Sequence, residues 1–226
     1  MDSSPAEPAT DVVPLSPLAA RVLGCLVEKE LATPDIYPLT LNALVNACNQ
    51  KSNREPVMEV SAREVEVAIE ELRQQRLAVV FSGADARVAK YRQKLDDVYY
   101  PLETASRAVL GELLLRGSQT AAGLRSNAER LCPMPAMAEF EVILAELAGR
   151  ASGALVRKLP RQPGQKEARW VQLLTGEPAA DSSAGAAPVT VTMTLPPEVE
   201  RRLAALESEV GQLRAELSEL KKSLGV

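Results

Sequence analysis

Apolar residues recur at helical spacing in the first quarter of the chain. The positions are Leu15, Leu18, Val22, Cys25 and Leu26. Ser16 is a suitable N-cap with Pro17 at the first helical position, and Thr33-Pro34 marks the end. The pattern therefore predicts a first helix up to about Leu31 and a short second helix over residues 39–47.

A third helix and a hairpin follow. Ser61-Ala62-Arg63-Glu64 fits a capping box at the helix start. The stripe predicted to be buried is Val65, Ala68, Ile69 and Leu72. Residues 77–81 and 86–92 then read as two strands joined by a Gly-containing turn, which predicts a β-hairpin.

The same order returns in the second half. Helical patterns cover residues 104–116, 121–131 and 135–150, the last with Phe140, Ile143, Leu144 and Leu147 inward. A hairpin follows around Pro163-Gly164, and "SRAVLGELLLR" echoes "AARVLGCLVEK". Three helices followed by a hairpin, twice, predicts a mainly α protein with small β-hairpins. We expect two tandem winged-helix domains, over residues 14–95 and 96–175.

The C-terminal region has a different pattern. We expect residues 1–13 to be a disordered tail and residues 176–196 to be a linker. Residues 197–226 carry an unbroken heptad seam, which predicts a coiled coil and a homodimer. The predicted dimerisation residues are Val199, Leu203, Leu206, Val210, Leu213, Leu217, Leu220 and Leu224.

Charges beside the seam favour a parallel pair of helices. In that arrangement the facing pairs are Arg202 with Glu207, Glu209 with Arg214, and Glu216 with Lys221. All three pairs are attractive, whereas an antiparallel pair would bring Glu209 and Arg214 each against its own copy. The alternative is that this helix docks on the rest of its own chain.

Composition narrows the possible functions. The chain has 226 residues, a net charge of −4 and no histidine, which removes the commonest general base and the usual zinc ligand. No Gly-rich phosphate loop is present, so we expect neither catalysis nor a metal or cofactor. The three dispersed cysteines indicate a reducing cytoplasm, and no apolar run approaches the roughly 20 residues that span a bilayer.

Three long stretches resemble one bacterial family. The segments "LVEKELATPDIYPLTLNALVNACNQKSNREPV", "LLLRGSQTAAGLRSNAERL" and "PGQKEARWVQLLTGE" are similar to the YceH family. The similarity covers residues 15–177 and the C-terminal coil. It implies tandem winged-helix domains and carries over no activity.

The predicted hairpins are basic and the predicted third helices are acidic. Residues 61–76 and 134–150 have net charges of −1 and −2, whereas 84–94 and 157–169 have +3 and +4. The candidate DNA-contacting residues in these wings are Arg87, Lys90, Arg92, Arg157, Lys158, Arg161, Lys166 and Arg169. The alternative is that these cations only block pairing at strand edges.

A polar loop lies between the second and third helices. Its candidate recognition residues are Asn49, Gln50, Lys51, Ser52, Asn53 and Arg54. Amides can pair with adenine and cations can hold phosphates. The structural alternative is that Asn46 or Asn49 closes the second helix and that Ser52 and Asn53 make side-chain-to-backbone turns. In this alternative, Arg54 pairs with a carboxylate such as Glu28 or Glu30.

These features favour a non-enzymatic, regulatory DNA-binding protein that contacts duplex DNA through its wings and the polar loop. The alternative is a protein-interaction scaffold without DNA binding. The acidic third helices and the charge of −4 favour the scaffold, and the basic wings favour DNA. In both cases we expect self-association through the coil and no membrane partner.

Overall fold

The computed structural model describes residues 13–81 and 88–178. The predicted tail up to residue 12, the first hairpin turn with Arg87, most of the linker and the whole coiled coil lie outside the described residues.

The described residues form a mixed α/β structure of seven α-helices and two small antiparallel sheets. The helices are α1 (Pro17–Ala32), α2 (Leu41–Cys48), α3 (Ala62–Gln74), α4 (Leu95–Val98), α5 (Thr104–Arg116), α6 (Ala121–Ala128) and α7 (Met137–Ala148), with a 3-10 helix at Pro34–Ile36. The strands are β1 (Leu39–Thr40), β2 (Ala78–Phe81), β3 (Lys90–Gln93), β4 (Gln119–Thr120), β5 (Val156–Lys158) and β6 (Arg169–Gln172). The sheet orders are β1-β3-β2 and β4-β6-β5.

Side-chain caps fix the helix starts in the first half. The Ser16 hydroxyl accepts a hydrogen bond from Ala19 N at 3.2 Å, with Pro17 at the first position. Ser61 and Glu64 form the full capping box of α3. The predicted starts of α1 and α3 are therefore confirmed, because local hydrogen bonds determine them.

The two halves repeat one order of elements: helix, short strand, helix, helix, hairpin. The sequence pattern missed β1 and β4, since a two-residue strand leaves no periodicity to detect. It also missed α4 and the 3-10 helix, which are each under one and a half turns long.

The first helices of the two halves cross closely. Every residue from Ala19 to Glu28 in α1 is buried. A methyl group on Gly24 would lie 2.9 Å from Leu115 Cγ, and one on Gly111 would lie 2.9 Å from Val27 Cγ1. The two glycines of the sequence echo thus permit the α1–α5 contact, and one hydrophobic core runs through both halves.

Candidate functional site

Asn49 holds the start of the polar loop to its end. Its amide nitrogen donates to Val60 O at 2.8 Å, and its amide oxygen accepts from Val60 N at 2.8 Å. Both functional atoms are thus used inside the molecule. Asn49 was predicted as a recognition residue, but the structure supports the alternative, in which Asn49 closes the second helix, since it is the C-cap of α2.

Arg54 is buried in the core of the loop, with 4% of its surface exposed. Its guanidinium donates two hydrogen bonds to Glu28, at 3.2 and 2.6 Å, and Nε donates to Ala47 O at 3.0 Å. Gln50 Oε1 accepts a further bond from it at 2.9 Å. The interpretation of Arg54 as a partner-binding residue is therefore wrong, because a buried, fully paired guanidinium cannot reach a phosphate or a base.

The same loop contacts the second half of the chain. Glu55 N donates to Leu115 O at 2.8 Å, and Arg116 donates to Asn53 Oδ1 at 3.0 Å. Asn53 has a positive φ of 56°, a conformation that asparagine tolerates better than most residues. The polar loop is therefore a structural joint between the two halves.

Charge pairs continue through this joint. Arg130 of the second half donates to Glu28 Oε1 at 2.7 Å and also pairs with Glu112. Burial alone would raise the pKa of Glu28, and its bonds to Arg54 and Arg130 lower it to about 2. Burial raises the pKa of Glu112, although the Arg130 guanidinium beside it favours the ionised form.

Two candidate recognition residues of the polar loop are exposed. Lys51 and Ser52 lie on the surface, and neither makes a side-chain hydrogen bond or ion pair within the described residues. Their role in binding stays a prediction.

Three of the predicted DNA-contacting cations of the β5–β6 hairpin contact other residues of the chain. Arg157 forms an ion pair with Glu177, and Arg169 donates to Ser118 O at 3.1 Å. Lys158 Nζ lies 5.9 Å from the centroid of the Trp170 ring. Arg161 and Lys166 are exposed beside them.

Of the cations predicted to contact DNA from the β2–β3 hairpin, the structure describes two, Lys90 and Arg92. Lys90 is exposed, and Arg92 is half-buried with a buried Nε that donates no hydrogen bond to the described residues. The two residues lie on β3, across from Phe81 and Val79 of β2.

The third helices share a four-residue motif, exposed at three of its four positions, that the sequence pattern did not reveal. "EVEV" in α3 and "EFEV" in α7 occupy the same position in the two halves. The last valine of each is exposed, with 66% of Val67 and 54% of Val142 accessible. Aligning the two third helices, rather than the first helices alone, could have found this signal.

Charge on α7 is of one sign. The exposed carboxylates are Glu139, Glu141 and Glu146, and Met137–Ala148 contains neither lysine nor arginine. On α3, Glu66 and Glu70 are also exposed, but Arg63 and Arg73 lie among them and Arg73 bonds to Glu70 at 2.6 Å. The acidic face is therefore stronger in the second half.

Other candidate chemistry is structural. Cys25 and Cys48 are fully buried, which is usual for a free cysteine that packs as a small apolar side chain. A cleft of about 320 Å³ lies between α5 and α7, but its Arg150 guanidinium donates to the backbone oxygens of Tyr99, Tyr100 and Pro101. Residues 13–81 and 88–178 hold no cluster of three metal-binding side chains and no helix long and apolar enough to cross a membrane.

The chain is similar to proteins from several bacteria. It is 45% identical over 213 residues to a UPF0502 protein of Aeromonas hydrophila, covering 93% of this chain and 96% of the relative. A UPF0502 protein of Geobacter sulfurreducens is 47% identical over 200 residues, covering 88% and 90%. Residues 15–165 match the family described as "Protein of unknown function, DUF480". These matches confirm the resemblance noted from the sequence, and the chain belongs to the DUF480 family.

Proposed function

We propose that this protein is a non-enzymatic protein-interaction module made of two winged-helix units. The repeated order of helix, strand, helix, helix and hairpin supports this assignment of the fold. We also propose that the heptad seam of residues 197–226 pairs two chains, so that each assembly presents four units.

The exposed face of α7 carries this proposal. In a DNA-binding winged helix, this element enters the major groove, where phosphates flank it on both sides. Glu139, Glu141 and Glu146 would repel those phosphates, and α7 has no cation to offset them. A protein partner is compatible with the same face.

Val142 supplies an apolar anchor in the centre of that face. More than half of its surface is exposed, and Glu141 and Glu146 lie beside it. Protein interfaces combine an apolar centre with a polar rim that selects the partner. The partner surface complementary to α7 has an apolar pocket with basic residues around it.

A second candidate function is non-specific DNA binding through the wings. Lys158, Arg161 and Lys166 are exposed on or near the β5–β6 hairpin, at a distance in sequence from the acidic helix. Cations on a wing contact the phosphate backbone in proteins of this class.

Titration of the full chain with random-sequence duplex DNA across a salt series separates the two functions. The interaction module predicts no binding even at low salt. Binding that weakens steeply with salt favours the wings instead. In that case, replacing Arg157, Lys158 and Arg161 with alanine weakens binding to every duplex and reduces the salt slope.

A further inference from the structure

Cys25 and Cys48 form a buried pair of thiols between α1 and the end of α2. Neither residue has any exposed surface, and the two side chains hydrogen-bond each other. Arg21 lies one turn before Cys25 on α1, and its Nη1 donates to Cys48 O at 3.4 Å. The fold thus brings together two soft metal ligands that are distant in sequence.

Arg21 is a buried cation without a carboxylate partner. Only 1% of its surface is exposed. Its Nη2 donates to Pro56 O at 2.6 Å, whereas its Nε donates to no acceptor, and no carboxylate pairs with it in the part of the chain that the structure describes. A buried charge is costly unless an opposite charge faces it. Thiolates at Cys25 and Cys48, beside the guanidinium, would supply that charge.

The number of ligands and the charge select the class of ion. Zinc sites and iron–sulfur clusters take about four protein ligands, whereas residues 13–81 and 88–178 hold no cluster of three metal-binding side chains. Two thiolates alone suit Cu(I), a soft monovalent ion. Two thiolates and one such ion carry one net negative charge, which Arg21 balances. A divalent ion would make the site neutral and leave Arg21 without a counter-charge.

We propose that Cys25 and Cys48 bind one Cu(I) ion between them as thiolates, with the Arg21 guanidinium balancing the charge of the site. Each thiol loses its proton to solvent as its sulfur bonds to the ion, and the copper keeps its oxidation state. Because neither sulfur is exposed, the ion enters as the chain folds, and its binding stabilises the fold. The site is separate from the interaction surface proposed on α7.

The test refolds the reduced full chain with Cu(I) in the absence of oxygen, with bathocuproine disulfonate, a coloured Cu(I) chelator, as the competitor. We expect one Cu(I) retained per chain and two sulfur neighbours in X-ray absorption at the copper edge. The loaded protein should melt at a higher temperature than the metal-free protein. Zn(II) should not bind at this pair, because it takes about four ligands.

Single substitutions separate this site from non-specific binding to thiols. Cys25→Ala and Cys48→Ala each remove a ligand, so each should weaken Cu(I) binding by about 100-fold or more. Arg21→Met removes only the balancing charge and should weaken it by about 10–100-fold. Cys132→Ala is the matched control, since this third free cysteine lies in the second half, and its affinity should stay within about twofold. Circular dichroism of the metal-free proteins shows which variants fold, and either cysteine variant alone decides the test.

Three results overturn the proposal. They are the retention of no Cu(I) by the unaltered chain, equal binding by the Cys25→Ala or Cys48→Ala variant, and three or more ligands on the copper. Zn(II) binding that depends on Cys25, or an unchanged Cu(I) affinity in Arg21→Met, overturns the assignment to a monovalent ion. None of these results bears on the α7 surface, so the proposed function stands or fails separately.

Discussion

Arg54 and Glu28 form a buried ion pair with two hydrogen bonds, the shorter of 2.6 Å, at the joint between the two halves of the molecule. Arg54 comes from the polar loop and Glu28 from the buried helix α1. Arg130 of the second half donates a further hydrogen bond to the same Glu28 carboxylate. This ion pair, the Asn49–Val60 hydrogen bonds and the Arg116–Asn53 hydrogen bond together account for three of the polar residues in the loop.

Glu28→Gln should destabilise the protein strongly at neutral pH. A pKa lowered to about 2 from an ordinary value of 4.5 corresponds to roughly 3 kcal/mol of stability. Because the folded-state pKa is the lower one, that stability is present above pH 4.5 and is lost as the pH falls toward 2. Urea denaturation of both proteins at pH 7 and at pH 3 measures the difference.

Glu112→Gln is the matched control for this prediction. The pKa of Glu112 is raised in the folded state, so its ionised form costs stability as the pH rises through that pKa. The glutamine variant lacks this cost, and we expect a smaller loss than for Glu28→Gln. Equal losses at pH 7, or a Glu28→Gln effect independent of pH, would contradict the account of the joint.

Asn49→Ala should lower the free energy of unfolding by about 1–3 kcal/mol, because Val60 N and O would lose their partners. Thermal and urea denaturation measure the change. Ser52→Ala is the control: the exposed Ser52 side chain makes no hydrogen bond within the described residues, so stability should change by about 0.5 kcal/mol or less. If Asn49→Ala is no more destabilising than Ser52→Ala, Asn49 does not hold the loop.

Gly24→Ala should destabilise the protein, although alanine favours an isolated helix by roughly 0.5–1 kcal/mol. The added methyl group would lie 2.9 Å from Leu115 Cγ, and relieving such overpacking typically costs about 1–3 kcal/mol. Calorimetry should show a lower melting temperature for this variant and for Gly111→Ala. A higher melting temperature for either variant would mean that the α1–α5 contact can accommodate the added methyl group.

Sequence reasoning predicted elements whose signals are local. The capping residues Ser16 and Ser61 and the buried stripe of α3 are legible within a few residues. The role of Arg54 could not be deduced in this way, because its partner Glu28 is distant in sequence, as is Arg130, which shares the same carboxylate. The sequence allows the pairing of Arg54 with Glu28 as one alternative, but only the fold distinguishes a buried guanidinium from an exposed one.

The predicted coiled coil should make the protein a homodimer. Sedimentation equilibrium of the full chain should give a dimer that dissociates on dilution, and a chain truncated at Gly185 should be monomeric. The heptad residues from Val199 to Leu224 are the physical reason. A monomeric full-length protein, or a truncated one that remains dimeric, would exclude this seam as the dimer interface.

Photo-cross-linking inside the native bacterial cell tests the central claim most directly. A photoreactive amino acid replaces Val142 or Val67 at the centre of each acidic face, and the exposed Asp35 as the control position. We predict discrete cross-linked protein adducts from position 142 and a lower yield of adducts from position 67. Position 35 should give none of these adducts. Adducts to DNA from position 142, or the same protein adducts from all three positions, would contradict the proposed function.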